Sequence, residues 1–149
     1  MPAATNAYDR LALGARFVTP PRIISAEDAR DIVRLAGYTH PMFAWAMDGA
    51  SPAEGPIPGQ LTLLLLGGMA EQTDLFDATT LALVGLDAVE FKTPARCGDS
   101  LHLAMEVVDK RLSASGRRGF VTFAWTCRDQ SDGIVLTARA TFAFRMGGT

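Results

Sequence analysis

Few residues in this chain carry chemistry, and their types narrow what that chemistry can be. There are two histidines, His40 and His102, and two cysteines, Cys97 and Cys127. The cysteines form no CxxC pair and the four residues lack metal-ligand spacing, so no metal and no other cofactor is expected. The thiols read as free side chains in a reducing compartment. What remains is acid–base chemistry. Histidine titrates close to neutrality, which suits His40 to proton transfer. Tyr38, with an ordinary pKa of about 10, is a poor base but a workable acid or hydrogen-bond donor. Further along, Pro58-Gly59 opens a strongly apolar stretch. Proline fits the first turn of a helix, because its missing N–H would be unpaired there anyway. Three carboxylates fall between or after these groups: Asp48, Glu54 and Glu71. Asp48 reads as a solvated loop residue before Gly49, and Glu71 as a solvent-facing residue where its helix turns polar.

The elements that must position these groups follow from periodicity. Ser25-Ala-Glu-Asp28 is a helix start, with Ser25 placed to cap the N–H of Asp28. Ala29, Ile32, Val33 and Ala36 share a face and Gly37 ends the helix, so a first helix over about 25–36 is expected. Residues 38–57 hold Pro41, Gly49, Pro52, Gly55 and Pro56, which exclude a long helix, alongside Met42, Phe43, Trp45 and Met47. Such a segment reads as a packed, functional loop with at most one helical turn. From Gln60 to Phe76 a helix is apolar on most sides, which requires burial all round. Gly67-Gly68 in its middle costs roughly 1 kcal/mol each in helix propensity, a cost explained if another backbone crosses there.

The remainder alternates with period two. Strands are expected over 81–84 and 89–93, then through Leu101, Leu103, Met105 and Val107, through Val121, Phe123, Trp125 and Cys127, and from Ile134 to Arg145. Turns fall at Arg96–Asp99, Ser113–Arg118 and Asp132-Gly133. On this alternation His102 lies on the exposed face. One apolar helix beside a one-faced antiparallel sheet has a simple packing solution, an α+β fold in which the sheet wraps the helix.

Bulk properties set outer bounds. A chain of 149 residues, 48% apolar and with a net charge of −2, suits one globular domain over 1–149 with a flexible tail over about 1–10. No basic stripe points to nucleic acid, and no apolar run is long enough for a membrane helix. With no signal-peptide pattern at the start, a cytoplasmic location is expected.

Three blocks carry a resemblance. Ala36-Gly-Tyr-Thr-His-Pro-Met-Phe43 resembles the G-D-x-[N/H]-P-x-H signature of MaoC-like (R)-specific enoyl-thioester hydratases and dehydratases. Gly55-Pro-Ile-Pro-Gly59 is similar to their G-x-I-x-[H/P]-G, and Val89 to Leu101 to their strand-turn-strand V-x-F-x-x-P-V-x-x-G-D-x-L. The likeness spans roughly residues 15–145 and keeps the order of the blocks. It implies a hot-dog fold that dimerises by joining sheets, and a substrate that is an acyl thioester of coenzyme A or of acyl carrier protein. It also implies that the backbone N–H of Gly59 holds the thioester carbonyl. Lys92 and Arg96, flanking Pro94, would then meet the phosphates of the carrier. Phe43, Trp45, Met47, Ile57 and Pro58 would line the acyl pocket, although the three loop side chains fit a satellite core equally well.

The signature's catalytic pair is absent. Tyr38 stands at the aspartate position and Phe43 at the histidine position. Phenylalanine moves no protons, so hydration would have to use Tyr38 and His40 instead, both groups being needed within hydrogen-bond reach. One expectation is therefore an enzyme of altered acid–base chemistry. It would hydrate or dehydrate, or isomerise or cyclise, a fatty-acyl or polyketide-like chain as a homodimer. Another is a non-catalytic partner in a heterodimer with a related hot-dog subunit. A weaker third is a thioesterase using Asp48, Glu54 or Glu71.

Overall fold

In the computed structural model, residues 6–46 and 55–147 are described. Met47, Asp48 and Glu54 of the sequence reading lie outside them. The period-two alternation becomes three long antiparallel strands with one buried face: β4 (Ser100–Leu112), β5 (Arg118–Arg128) and β6 (Ile134–Arg145). Leu101, Leu103, Met105 and Val107 point inward beside Val121, Phe123, Trp125 and Cys127, all at most 1% exposed. With β1 (Arg16–Val18) and β3 (Thr80–Phe91), these strands form a sheet in the order β1-β4-β5-β6-β3, and β2 (Arg22–Ile23) pairs with β4. Every pairing is antiparallel.

Helix α2 (Ala26–Ala36) begins and ends as its sequence dictates. The Ser25 hydroxyl accepts from the Asp28 N–H, and Gly37 closes the helix at φ 80°, a conformation glycine adopts without a Cβ penalty. A 3-10 helix over Pro41–Ala46 follows. The central helix α3 runs Gly59–Glu71 and buries Leu61, Thr62, Leu65, Leu66, Met69 and Ala70. These join the inward residues of β4, β5 and β6 in one core, so the sheet does close around the helix.

Three features depart from the sequence reading. The two short strands over 81–84 and 89–93 are a single strand, β3. Its register shifts three times against β6, and Ala88 sits at φ 50°. Because β3 bends at each shift and pairs on one side only, its side chains lose clean alternation. Leu81, Leu83, Val84, Leu86 and Phe91 are all exposed. Among the described residues no backbone crosses Gly67-Gly68: a Cβ at either position would meet none of their atoms within 4 Å. The expected tail is also partly structured. Helix α1 (Ala7–Arg10) packs Ala7 and Leu11 into the core. Asp77 accepts from the Ala7 N–H at 2.9 Å and pairs with Arg10, while Lys110 donates to the Tyr8 carbonyl at 2.7 Å. Four residues cannot hold a helix by themselves; these long-range clamps do it.

Candidate active site

Three segments converge at the start of α3. The left-handed turn at Gly37 swings the chain into Tyr38, whose ring meets Phe43 edge-on at 5.1 Å. The Tyr38 hydroxyl donates to Gln60 Oε1 at 3.0 Å, one residue from Gly59. The second segment, residues 55–58, is held from both sides. Trp45 donates its indole N–H to the Pro56 carbonyl at 3.2 Å, and its ring fills the space where a Gly55 Cβ would stand, 2.1 Å from the nearest ring atom. Ile57 donates to the Ala95 carbonyl at 2.9 Å, and Pro56 bridges Arg96. That bridge brings in the third segment, the Arg96–Asp99 turn, closed by the Arg96 N–H on Asp99 Oδ2 and by Gly98 at φ 90°.

At the junction, buried Pro58 stands immediately before α3, and its carbonyl accepts from Leu61 and Thr62. The N–H groups of Gly59 and Gln60 have no acceptor among the described residues. Orphan donors at the positive end of a helix are what an anionic oxygen needs. Beside them lies a cavity of about 200 Å³ lined by Ile57, Gly59, Thr62, Phe91, Pro94 and Val135, among others. The Phe91 ring lies on Gly59 so closely that a Cβ there would come within 2.5 Å of it.

The other residues singled out in the sequence divide between fold and site. His40 is exposed, and its Nδ1 accepts from the Met42 N–H at 3.1 Å, capping the 3-10 helix. In the neutral ring that leaves the proton on Nε2, the one ring nitrogen free to transfer it. Trp45 is 7% exposed and Phe43 half-buried; both pack against the core, and neither lines this cavity. Lys92 is exposed and paired with Glu90. Arg96 is exposed on its turn. Glu71 is exposed at the opposite end of α3, twelve residues and roughly 18 Å along the axis from Gly59. Burial raises the Cys97 thiol pKa and pushes that of Cys127 up to about 12, so neither is a thiolate nucleophile at neutral pH. Among the described residues no cluster of three metal-ligating side chains occurs, and no helix is long and apolar enough to cross a membrane.

Gln60 and Phe91 stand beside Gly59 without having been singled out from the sequence. Phe91 had a signal, since it occupies the phenylalanine position of the third block; Gln60 had only its place beside Gly59.

A central helix wrapped by an antiparallel sheet defines a hot-dog-fold protein. Its structural neighbours include MaoC-like dehydratases and (R)-hydratases, which bears out the hot-dog fold that the three blocks implied. A Monoamine oxidase regulatory protein from Archaeoglobus fulgius superposes at a TM-score of 0.79 with 25% identity, covering 95% of each chain. A MaoC-like dehydratase from Rhodospirillum rubrum superposes at 0.76 with 22% identity, over 95% of this chain and 97% of that one. A double hot-dog protein of Mycobacterium tuberculosis matches at 0.68 with 22% identity, over 94% of this chain and 44% of that one. In sequence, the 3-hydroxyacyl-[acyl-carrier-protein] dehydratase FabZ of Anaeromyxobacter dehalogenans is 32% identical over 104 residues, which span 64% of each protein. The match thus spans less than two thirds of that relative's length. No family model matches the chain.

Proposed function

We propose that this protein acts on acyl thioesters, adding water to or removing it from the acyl chain. The observation that carries the reading is the N–H pair of Gly59 and Gln60, without an acceptor among the described residues, next to an apolar cavity and beside the Gln60 side chain that holds the Tyr38 hydroxyl. Hydration of an enoyl thioester passes through an enolate-like species whose negative charge collects on the carbonyl oxygen. Donors already fixed by the helix stabilise that charge without reorganising. The first carbons of the acyl chain lie in the cavity beside Gly59, against Phe91 and Val135. Tyr38 carries the proton: its hydroxyl gives one to the α carbon as it takes the one lost by the attacking water, and Gln60 aligns that hydroxyl until substrate competes for it. His40, whose Nε2 carries the ring proton, donates it in a hydrogen bond that holds the water oxygen. Lys92 and Arg96 lie on the segment that leads out of the cavity, on the side where a carrier's phosphates would rest.

The exposed apolar edge of β3 favours a dimer, in which a second copy extends the sheet. A second reading, the non-catalytic subunit of a heterodimer, is favoured by Phe43 at the position where the signature has its histidine. The thioesterase reading loses Glu71, which stands at the wrong end of α3.

Turnover of crotonyl-coenzyme A by the purified protein, followed by loss of the enoyl absorbance, tests these readings. Turnover that falls at least a hundredfold when Tyr38→Phe and His40→Ala are combined supports the first. Turnover that survives the double substitution removes those residues from the mechanism. Activity that appears only with a second hot-dog chain supports the heterodimer.

A further inference from the structure

The turn between β5 and β6 does not line the site, yet one of its side chains is joined to it by a run of hydrogen bonds. The turn, residues 129–133, closes on its own atoms. The Asp129 N–H donates to the Gly133 carbonyl at 3.0 Å, and Asp129 Oδ1 accepts from the N–H groups of Ser131 and Gly133 at 2.9 and 3.1 Å. The Gln130 side chain reaches instead to a segment thirty residues earlier. Its Oε1 accepts from the Ser100 N–H at 3.0 Å, and its Nε2 donates to Asp99 Oδ1 at 3.1 Å. Asp99 passes the constraint on. Its other oxygen, Oδ2, accepts from the Arg96 N–H at 2.9 Å, and the Asp99 N–H donates back to the Arg96 carbonyl at 3.1 Å. Arg96 bridges Pro56, and the neighbouring Ala95 carbonyl accepts from Ile57 at 2.9 Å. Ile57 and Pro58 are buried and lead directly into Gly59. The same segment supplies Pro94 and Ala95 to the wall of the cavity of about 200 Å³.

We propose that Gln130 is a positioning residue for the N–H pair of Gly59 and Gln60. The terminal torsion of an aspartate is broad, so the bond to Arg96 alone leaves the Asp99 carboxylate free to rock. Gln130 holds its second oxygen and so fixes the turn against which residues 55–58 are laid. That sets where the N–H pair stands relative to the Pro94–Ala95 wall. The proposal rests on the acyl-thioester reading of the pair, but the geometry it invokes is measurable without turnover. A donor stabilises developing charge only when it is already aimed at the place where the charge appears. A displacement of about 1 Å caused far from the chemistry costs up to about a hundredfold in rate. Gln130 does not line the cavity, and both of its bonds lie at the surface, so its variants keep the core intact.

Hydrogen exchange of the Ile57 amide and the chemical shifts of the Gly59 and Gln60 amides read the segment directly. Gln130→Ala is expected to speed Ile57 exchange about tenfold, the worth of about one hydrogen bond, and to shift both amides. Met105 and Phe123, buried in the sheet, should exchange as before. Gln130→Glu should act alike, because it sets a carboxylate against Asp99 Oδ1. Combining Gln130→Glu with Asp99→Asn exchanges donor for acceptor. The new amide at position 99 still accepts from Arg96 and donates to the new carboxylate at 130, which still accepts from Ser100. This pair should restore the parental exchange and shifts. With crotonyl-coenzyme A, each single variant should lower kcat about tenfold with KM little changed, the mark of an interaction made only in the transition state, and the pair should recover it. Ile57 exchange unmoved in Gln130→Ala overturns the proposal, as does a double variant that restores nothing. Exchange that rises by the same factor at Met105 and Phe123 marks a general loss of stability and overturns it too. Amides that move while kcat holds in an active parent also overturn it, since a displaced pair would then cost nothing. A parent that turns over no enoyl thioester while the amides respond as expected sinks the acyl-thioester reading and leaves the positioning of the pair standing.

Discussion

The two ends of α3 treat glycine in opposite ways. At the start of the helix, Gly59 is pressed by the Phe91 ring, and just upstream Gly55 is pressed by Trp45. Eight residues on, Gly67 and Gly68 face open space. The first pair is glycine because the chain's own side chains need the room. The second pair is glycine although no described residue needs the room. Absence of a Cβ therefore marks close packing at one end and a vacant groove at the other, and substitution should separate the two with opposite signs.

The largest effect is expected at Gly55. Its alanine variant places a methyl group inside the indole of a buried, hydrogen-bonded tryptophan, and overpacking of this kind costs about 3 kcal/mol. Thermal or denaturant unfolding measures it; an unchanged midpoint would mean the Trp45 ring is free to move. Gly59→Ala should cost less, about 1–2 kcal/mol, because the half-exposed Phe91 ring has somewhere to go. Adding Phe91→Ala should recover most of the loss relative to Phe91→Ala alone, a coupling that a double-mutant cycle reads directly. At Gly67 the sign reverses. Gly67→Ala should raise stability by up to about 1 kcal/mol, since alanine is the better helix former and its methyl group meets nothing. A destabilised Gly67→Ala variant would place a neighbour in the groove.

The smallest effect concerns pH. Asp77 binds the Thr79 hydroxyl and the backbone N–H groups of Thr79 and Ala7, and these bonds, led by that to the hydroxyl, hold its pKa below the ordinary 3.8. A depressed carboxylate contributes stability that is present above its unfolded pKa and is lost as pH falls through the folded value. Asp77→Asn should thus flatten the acid limb of the stability profile below 3.8. A profile that falls as steeply in the variant as in the parent would remove Asp77 from acid unfolding.

What could be read from residues alone was what local rules govern. Ser25 and Gly37 bounded α2, and alternation gave the inward faces of β4, β5 and β6, because each signal lies within a few residues of its effect. The strand β3 escaped in part, since a strand exposed on both faces and bulged three times has no period to read. Helix α1 escaped because Asp77 and Lys110, far away in the chain, hold it. The same division runs through the site. Tyr38 and Gly59 were singled out by their motif positions, whereas the bond from Tyr38 to Gln60 and the contact of Phe91 with Gly59 join segments that only the fold brings together. The Trp125 nitrogen, without a partner among the described residues, was invisible for a further reason: inward alternation marks the residue as core, and says nothing about what its one polar atom finds there.

The one-sided pairing of β3 also bears on the life of the chain before it is complete. A long strand with one row of amides uncovered and several apolar side chains exposed is adhesive to any other extended chain. Newly made protein therefore runs a race between folding and adhesion to its unfolded siblings, and the two competitors scale differently with synthesis rate. Rapid production should divert chains to inclusion bodies, while slow synthesis or a chaperone that shields strand edges should rescue them. The yield of this protein in a cell is set as much by tempo as by thermodynamics.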